Sequence, residues 1–146
     1  KTFIRPQCLD NLLNSIKEYQ EKHNIHFQNI VIIDDSDEKH TSLNTKVVEK
    51  YCNFLDINYK SFPFNSLGLS KGRNIGIKEI HSKYFILCDD DFIFDEKCML
   101  LDNINLLEEK NMTNWRFFEL GTFFAVIEAK FKTIKYGNNK IKIRKP

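Results

Sequence analysis

Three short stretches carry the residues that could do chemistry. Asp89-Asp90-Asp91 sets three carboxylates side by side after the apolar run Tyr84–Cys88. Adjacent carboxylates repel, and leaving them unpaired near a core is costly. A hard divalent cation relieves that cost, because Mg²⁺ and Mn²⁺ take oxygen ligands and share them with substrate phosphates. Residues i and i+2 of an extended segment point the same way, so Asp89 and Asp91 are expected to face one ligand. A solvated acidic turn before a helix uses the same residue types, since acids favour helix N-termini. Asp95 and Glu96 already fill that role.

Asp34-Asp35-Ser36-Asp37 closes a second apolar run, Ile30–Ile33. A carboxylate at a strand end can accept a bond from a base N–H or a ribose hydroxyl. A polar loop in which Asp caps a helix or makes an Asx-turn fits equally well. Gly68-Leu69-Ser70-Lys71-Gly72-Arg73-Asn74 joins flexible backbone, two cations and a helix start. That combination suits a diphosphate through charge and helix dipole. It has neither GxGxxG spacing nor a P-loop signature. Alone, it is equally an ordinary helix start with Lys71 and Arg73 exposed.

The flanking elements must position these stretches. Thr2–Ile4 is β-prone, and Pro6 permits a helix start. Leu9, Leu12, Leu13, Ile16 and Tyr19 recur at three- and four-residue spacing, which predicts an amphipathic helix ending near His23–Asn24. Ile30–Ile33 reads as a strand buried on both faces. Val47, Val48, Tyr51 and Leu55 suggest a second helix, and Ile57–Phe62 alternates like a strand. Phe64–Gly72 is the main loop, with Ser70 expected to cap a helix lined by Ile75, Ile77 and Ile80. Tyr84–Cys88 is another strand. Asp95 or Glu96 opens a helix carrying Met99, Leu100, Ile104 and Leu107. Trp115–Ile127 is β-rich, and Phe131–Arg144 reads as a hairpin around Gly137-Asn138-Asn139. This alternation predicts a mostly parallel sheet with helices on both faces. Ligands of such sheets bind beyond the carboxyl ends of the strands, so both acidic clusters are expected on one rim.

The bulk composition narrows the function classes. A chain of 146 residues fits one domain over 1–146, with a core over 1–111 and C-terminal strands over 112–146. The formal net charge is only +2, so nucleic acid is not the expected partner. The basic tail Lys130–Lys145 reads as a solvated face. Cys8, Cys52, Cys88 and Cys98 form no CxxC pair, which argues against zinc, and all four are expected to be buried thiols. No apolar run approaches the roughly 20 residues that span a bilayer. The chain opens on Lys1 without a signal peptide and reads as an excerpt of a longer protein, cytoplasmic if complete. If it is part of an anchored enzyme, a Golgi-lumenal or membrane-associated site is expected.

Taken together, Ile30–Asp37 (IVIIDDSD), Pro63–Ile77 (PFNSLGLSKGRNIGI) and Tyr84–Phe94 (YFILCDDDFIF) resemble three successive blocks of family 2-type GT-A glycosyltransferases. The wording GLSKGRN followed by DDDF is nearest to the β-1,4-N-acetylgalactosaminyltransferase branch, and Lys1-Thr2-Phe3 resembles its first strand. The likeness covers roughly Lys1 to Leu107. It implies an α/β, GT-A (Rossmann-like) three-layer α/β/α fold. It also implies transfer of a hexose or N-acetylhexosamine from a UDP-sugar to a glycan or glycoconjugate acceptor, with Mn²⁺ or Mg²⁺ as cofactor. By the same resemblance, Thr2 would lie near the base and Asp35 would bond it. Arg73 and Asn74 match the helix start beside the diphosphate, while Lys71 stands where that motif varies. Asp89, Asp90 and Asp91 match the DxD motif, with Asp91 the main metal ligand and Asp89 near the ribose or the metal.

One departure and two alternatives follow. The family's general base lies well downstream, on the acceptor-binding half. Glu119 and Glu128 are the acids of the last apolar stretch, and neither sits in a recognisable base motif. An inverting transferase needs such a base to activate the acceptor. One alternative is therefore a nucleotide-sugar-binding domain without independent catalysis. The other is a receiver-like signalling domain, since IVIIDDS and Lys145-Pro146 also resemble that family's acidic pocket and late Lys-Pro. Receivers, however, begin with the acidic strand, and here a helix precedes it.

Overall fold

Helix α1 (Pro6–His23) starts where proline is favoured, in a first turn that has no need of its missing N–H. The face formed by Leu9, Leu12, Leu13, Ile16 and Tyr19 is buried, as the spacing predicts. The helix ends at Asn24 in the left-handed region (φ 49°), whose amide donates to the Gln20 carbonyl. Strand β1 (Ile30–Asp34), helix α2 (Glu38–Tyr51) and strand β2 (Ile57–Ser61) follow. The Asp37 carboxylate caps α2 by accepting from the His40 amide at 2.9 Å. Leu55 is buried but lies beyond the end of α2, in a turn closed by its amide to the Tyr51 carbonyl. The computed structural model describes residues 1–109, 114–116, 125–128, 134–136 and 139–141.

These residues fall into two units. Lys1–Ile80 with Asp89–Cys98 forms the first, and His81–Cys88 with Met99–Pro146 the second. In the first, β1 and β2 pair in parallel from Ile30–Ile57 to Asp34–Ser61. The N-terminal segment adds a parallel bridge, Thr2 to Asp34, in which the Thr2 amide donates to the Ile33 carbonyl at 3.0 Å. In the second unit, β3 (Tyr84–Leu87), β4 (Asn114–Arg116) and β5 (Ala125–Glu128) pair antiparallel in the order β3-β5-β4. Parallel pairing thus holds in the first unit, while β5 runs back alongside β3 in the second. A 3-10 turn (Glu96–Cys98) precedes α4 (Leu100–Glu109), and Met99 between them takes a positive φ of 36°. The single helix expected from Asp95 or Glu96 is therefore broken there. β6 (Ile134–Tyr136) and β7 (Asn139–Ile141) pair antiparallel. The expected Gly137-Asn138 turn and most of the basic tail lie outside the described residues.

The side chains that close β1 organise the first unit. Asp34 is fully buried and accepts from the Ser36 amide (2.8 Å) and hydroxyl, Asn44 Nδ2 (2.8 Å) and the Tyr59 hydroxyl (2.6 Å). Burial and the bond to Asp34 push the Tyr59 phenol well above its ordinary value. Asp35, the next residue, explains where α3 (Gly68–Lys78) begins. Its Oδ2 accepts from the Leu67 amide at 3.0 Å and the Gly68 amide at 3.2 Å. The expectation that Ser70 caps this helix is overturned. Leu67 holds the cap position, Ser70 is exposed in the first turn, and the capping carboxylate comes from another strand. Gly68 takes φ 63°, which a side chain would resist.

Helix α3 then lies against β1 through two glycines one turn apart. A Cβ at Gly76 would stand 3.6 Å from Ile33, and Gly72 is covered by both Ile33 and the Lys1 stem. Lys1 ion-pairs with Asp35, which is 1% exposed. The four cysteines are thiols, as expected, but only Cys98 is buried, and Cys52 is exposed because it follows the last turn of α2. No described helix is long and apolar enough to cross a membrane.

Two tests follow from this packing. Burial works to raise the Asp35 carboxyl, yet the Lys1 hydrogen bond, the Leu67 amide, the Lys1 charge and the Gly68 amide hold it below the usual range. A depressed folded-state value contributes stability above the unfolded value of about 3.9 and loses it as pH falls through the folded value. Asp35→Asn is expected to lower stability at neutral pH by about 1–3 kcal/mol in urea melts. Its gap from wild type should close below about pH 4, whereas a gap independent of pH refutes the clamp. At Gly72, an added Cβ falls 2.6 Å from Lys1 Cδ and 3.0 Å from Cε. Alanine gains about 1 kcal/mol of helix propensity but must push Lys1 off Asp35. Gly72→Ala should lower the calorimetric midpoint in wild type and raise it in a Lys1→Ala background.

Candidate functional site

The residues singled out by the sequence gather beyond the end of β1. Thr2 is buried there, and its hydroxyl makes no hydrogen bond among the described residues. Asp35 lies beneath Lys1, whose ammonium also stands 5.1 Å from the Phe3 ring centroid. Phe3 in turn stacks on Phe64, with centroids 5.9 Å apart and planes inclined by 13°. Phe64 is 58% exposed, so this pair offers a flat aromatic surface to solvent. The loop bearing Phe64 is pinned to the same strand end, because the Phe62 and Asn65 amides donate to the Asp34 and Asp35 carbonyls, each at 2.8 Å.

The first turns of α3 carry the cations. Arg73 Nη2 donates to Asp89 Oδ1 at 2.5 Å, while its buried Nε has no hydrogen-bond partner among the described residues. Lys71 is exposed, and among the described residues it reaches the Ser66 carbonyl at 3.5 Å. Asn74 is also exposed. The helix N-terminus beside them carries a partial positive charge. Asp35 accepts from two of its amides, so part of that field is met from within the protein.

The acidic triplet does not follow strand alternation. β3 ends at Leu87, and Asp90-Asp91 lie in a turn, so the i and i+2 rule does not reach them. Asp89 turns to Arg73. Asp90 and Asp91 share Arg5, whose Nη2 ion-pairs with Asp90 and whose Nη1 donates to Asp91 Oδ2 at 3.1 Å. Asp90 is 2% exposed, and among the described residues neither of its oxygens accepts a well-aligned hydrogen bond. Asp91 faces solvent. Among the described residues, no three His, Cys, Asp or Glu side chains converge as a metal cage.

The structure therefore brings Thr2, Asp35, Arg73, Asp89, Asp90 and Asp91 into one neighbourhood of the first unit, with Lys71 and Asn74 on its exposed helix. Sequence reading missed Lys1, Phe3, Phe64 and Arg5. Arg5 carried a usable signal. It occupies a helix cap position, where a short polar side chain is favoured and a cation opposes the dipole. Glu119 lies outside the described residues, and Glu128 is placed only by its backbone, opposite Tyr84.

Residues 1–133 match the family described as Glycosyl transferase family 2. Beta-1,4 N-acetylgalactosaminyltransferase 2 of Mus musculus is 32% identical over 112 residues, covering 77% of this chain and 19% of that protein. The poly(ribitol-phosphate) beta-N-acetylglucosaminyltransferase TarS of Staphylococcus aureus is 30% identical over 96 residues, covering 65% of this chain and 16% of that one. The crystal structure of TarS 1–349 superposes with a TM-score of 0.61 at 25% identity, over 77% of this chain and 32% of that chain. The same fragment in complex with UDP-GlcNAc gives a TM-score of 0.60 at 26% identity, over 77% and 31%. The chain spans under a fifth of the length of these two curated relatives. The likeness to TarS shows the expected α/β fold of the GT-A class. The family match sets aside the receiver-like reading, and the chain belongs to glycosyl transferase family 2.

Proposed function

We propose that this chain is the donor-binding part of a metal-dependent transferase. The transferase moves a hexose or N-acetylhexosamine from a UDP-sugar to a hydroxyl of a glycan or glycoconjugate. The observation that carries the reading is the Arg73–Asp89 pair, which joins the cationic start of α3 to the acidic triplet. A diphosphate needs the first, and a divalent cation that bridges to it needs the second. TarS 1–349, a structure with the same fold, is known in complex with UDP-GlcNAc.

In this reading each group has a task. The base stacks on the Phe3–Phe64 surface and meets the Lys1–Asp35 pair, with Thr2 beside it. Aromatic stacking of this kind stabilises a bound base by about 1–3 kcal/mol. Arg73, Lys71 and Asn74 face the diphosphate, and the guanidinium assists electrostatically as negative charge develops there. Asp89 and Asp90 lie toward the ribose and diphosphate, and Asp91 with Asp89 holds Mn²⁺ or Mg²⁺. The donor set fits such an ion, since it is all carboxylate oxygen and Asp91 is open to solvent. Mg²⁺ sites of this type use one or two carboxylates plus substrate phosphates. When bound, the cation offsets charge on the departing diphosphate.

Calorimetric titration with UDP and UDP-GlcNAc, with and without Mn²⁺, tests the reading directly. Metal-dependent binding of UDP is expected, weakened at least tenfold by Asp91→Ala, which corresponds to about 1.4 kcal/mol. Absence of metal-dependent UDP binding refutes the proposal, and binding that Asp91→Ala leaves intact refutes the metal assignment.

A further inference from the structure

Arg5 and its neighbour Ile4 break three local rules between them. Arg5 sits at the cap position of α1 but makes no capping bond, where Ser, Thr, Asp or Asn would stabilise the helix. It places a cation at the positive end of the helix dipole. The residue before it, Ile4, is β-branched yet holds φ 56°, a strained backbone for such a side chain. That strain is held in place by the Ile4 amide, which donates to Ser36 Oγ at 2.8 Å, beside the Asp34 network. Sites where several local preferences fail together are where function is to be sought. What Arg5 gains is across the fold: one arm of its fork pairs with Asp90 and the other with Asp91.

The two carboxylates differ. Asp90 is buried, its oxygens lack aligned hydrogen bonds, and Arg5 balances its charge. Asp91 is exposed, so its bond to Arg5 is the weaker kind that solvent and other cations compete with. We propose that Arg5 is a positioning residue of the metal site: its guanidinium holds Asp91 as a stand-in cation and must release it when a divalent ion binds. The bond to buried Asp90 persists through that exchange and keeps the triplet in place. Guanidinium geometry matters, because a planar fork can hold two carboxylates while a lysine ammonium is a single point charge. This rests on the proposed metal role of Asp91 and adds to it a competitor built into the same chain.

The test is Mn²⁺ affinity read from the free-ion electron paramagnetic resonance signal, with and without UDP, on wild type, Arg5→Lys and Arg5→Gln. Circular dichroism checks that each is folded. Lysine keeps a charge for Asp90 but frees Asp91, so Arg5→Lys is expected to bind Mn²⁺ roughly two- to fivefold more tightly, the scale of releasing one exposed ion pair. Arg5→Gln, where it folds, also leaves buried Asp90 unpaired and should bind Mn²⁺ less tightly than Arg5→Lys. Wild-type or weaker affinity in folded Arg5→Lys overturns the inference, even if Arg5→Gln tightens, since charge loss alone would then explain the latter. A wild type that binds no Mn²⁺ with or without UDP fails at the earlier step and refutes the metal site itself.

Discussion

Two adjacent carboxylates are buried where β1 ends, and burying such groups costs several kcal/mol unless each is bonded or paired. Their partners come from separate elements. Asn44 of α2 and Tyr59 of β2 reach Asp34, while Lys1 of the N-terminal segment and the first amides of α3 reach Asp35. Satisfying one strand end therefore ties together four pieces of chain that share no local sequence. The rest of the first unit is arranged around that requirement.

The candidate site is a by-product of the same constraint. Because Asp35 fixes the start of α3, Arg73 is carried to a place where it can meet Asp89. Because Gly72 and Gly76 let α3 lie close to Ile33, the helix start stays near the strand end. Arg5 supplies the other half of the charge balance around the triplet. Two guanidinium groups and three carboxylates leave a negative excess around the triplet.

Asp35 also shows how much of a buried carboxylate's acceptor capacity the fold itself can use. An ionised carboxylate has about four acceptor sites, and Lys1 and two amides account for three bonds. The group is thereby held rigidly in one orientation, which a binding surface requires. Its cover, Lys1, also touches Phe3, so the charged and aromatic parts of the surface are mechanically linked.

Much of this was legible in the sequence. The three- and four-residue spacing of Leu9 to Tyr19 determined α1, and the β-branched run of Ile30–Ile33 determined β1, because each pattern reflects a local period that burial must obey. The three blocks IVIIDDSD, PFNSLGLSKGRNIGI and YFILCDDDFIF determined the family. What the sequence could not decide was the pairing of charges. Asp35 caps α3 from 32 positions away, Arg73 meets Asp89 across 16, and Arg5 reaches Asp91 across 86. The same separation misled the reading of Ser70, a residue with ideal cap chemistry that the distant Asp35 displaces. Composition and spacing determined which residues could do chemistry; only the tertiary structure chose their partners, because a charge is matched by what lies near it in space.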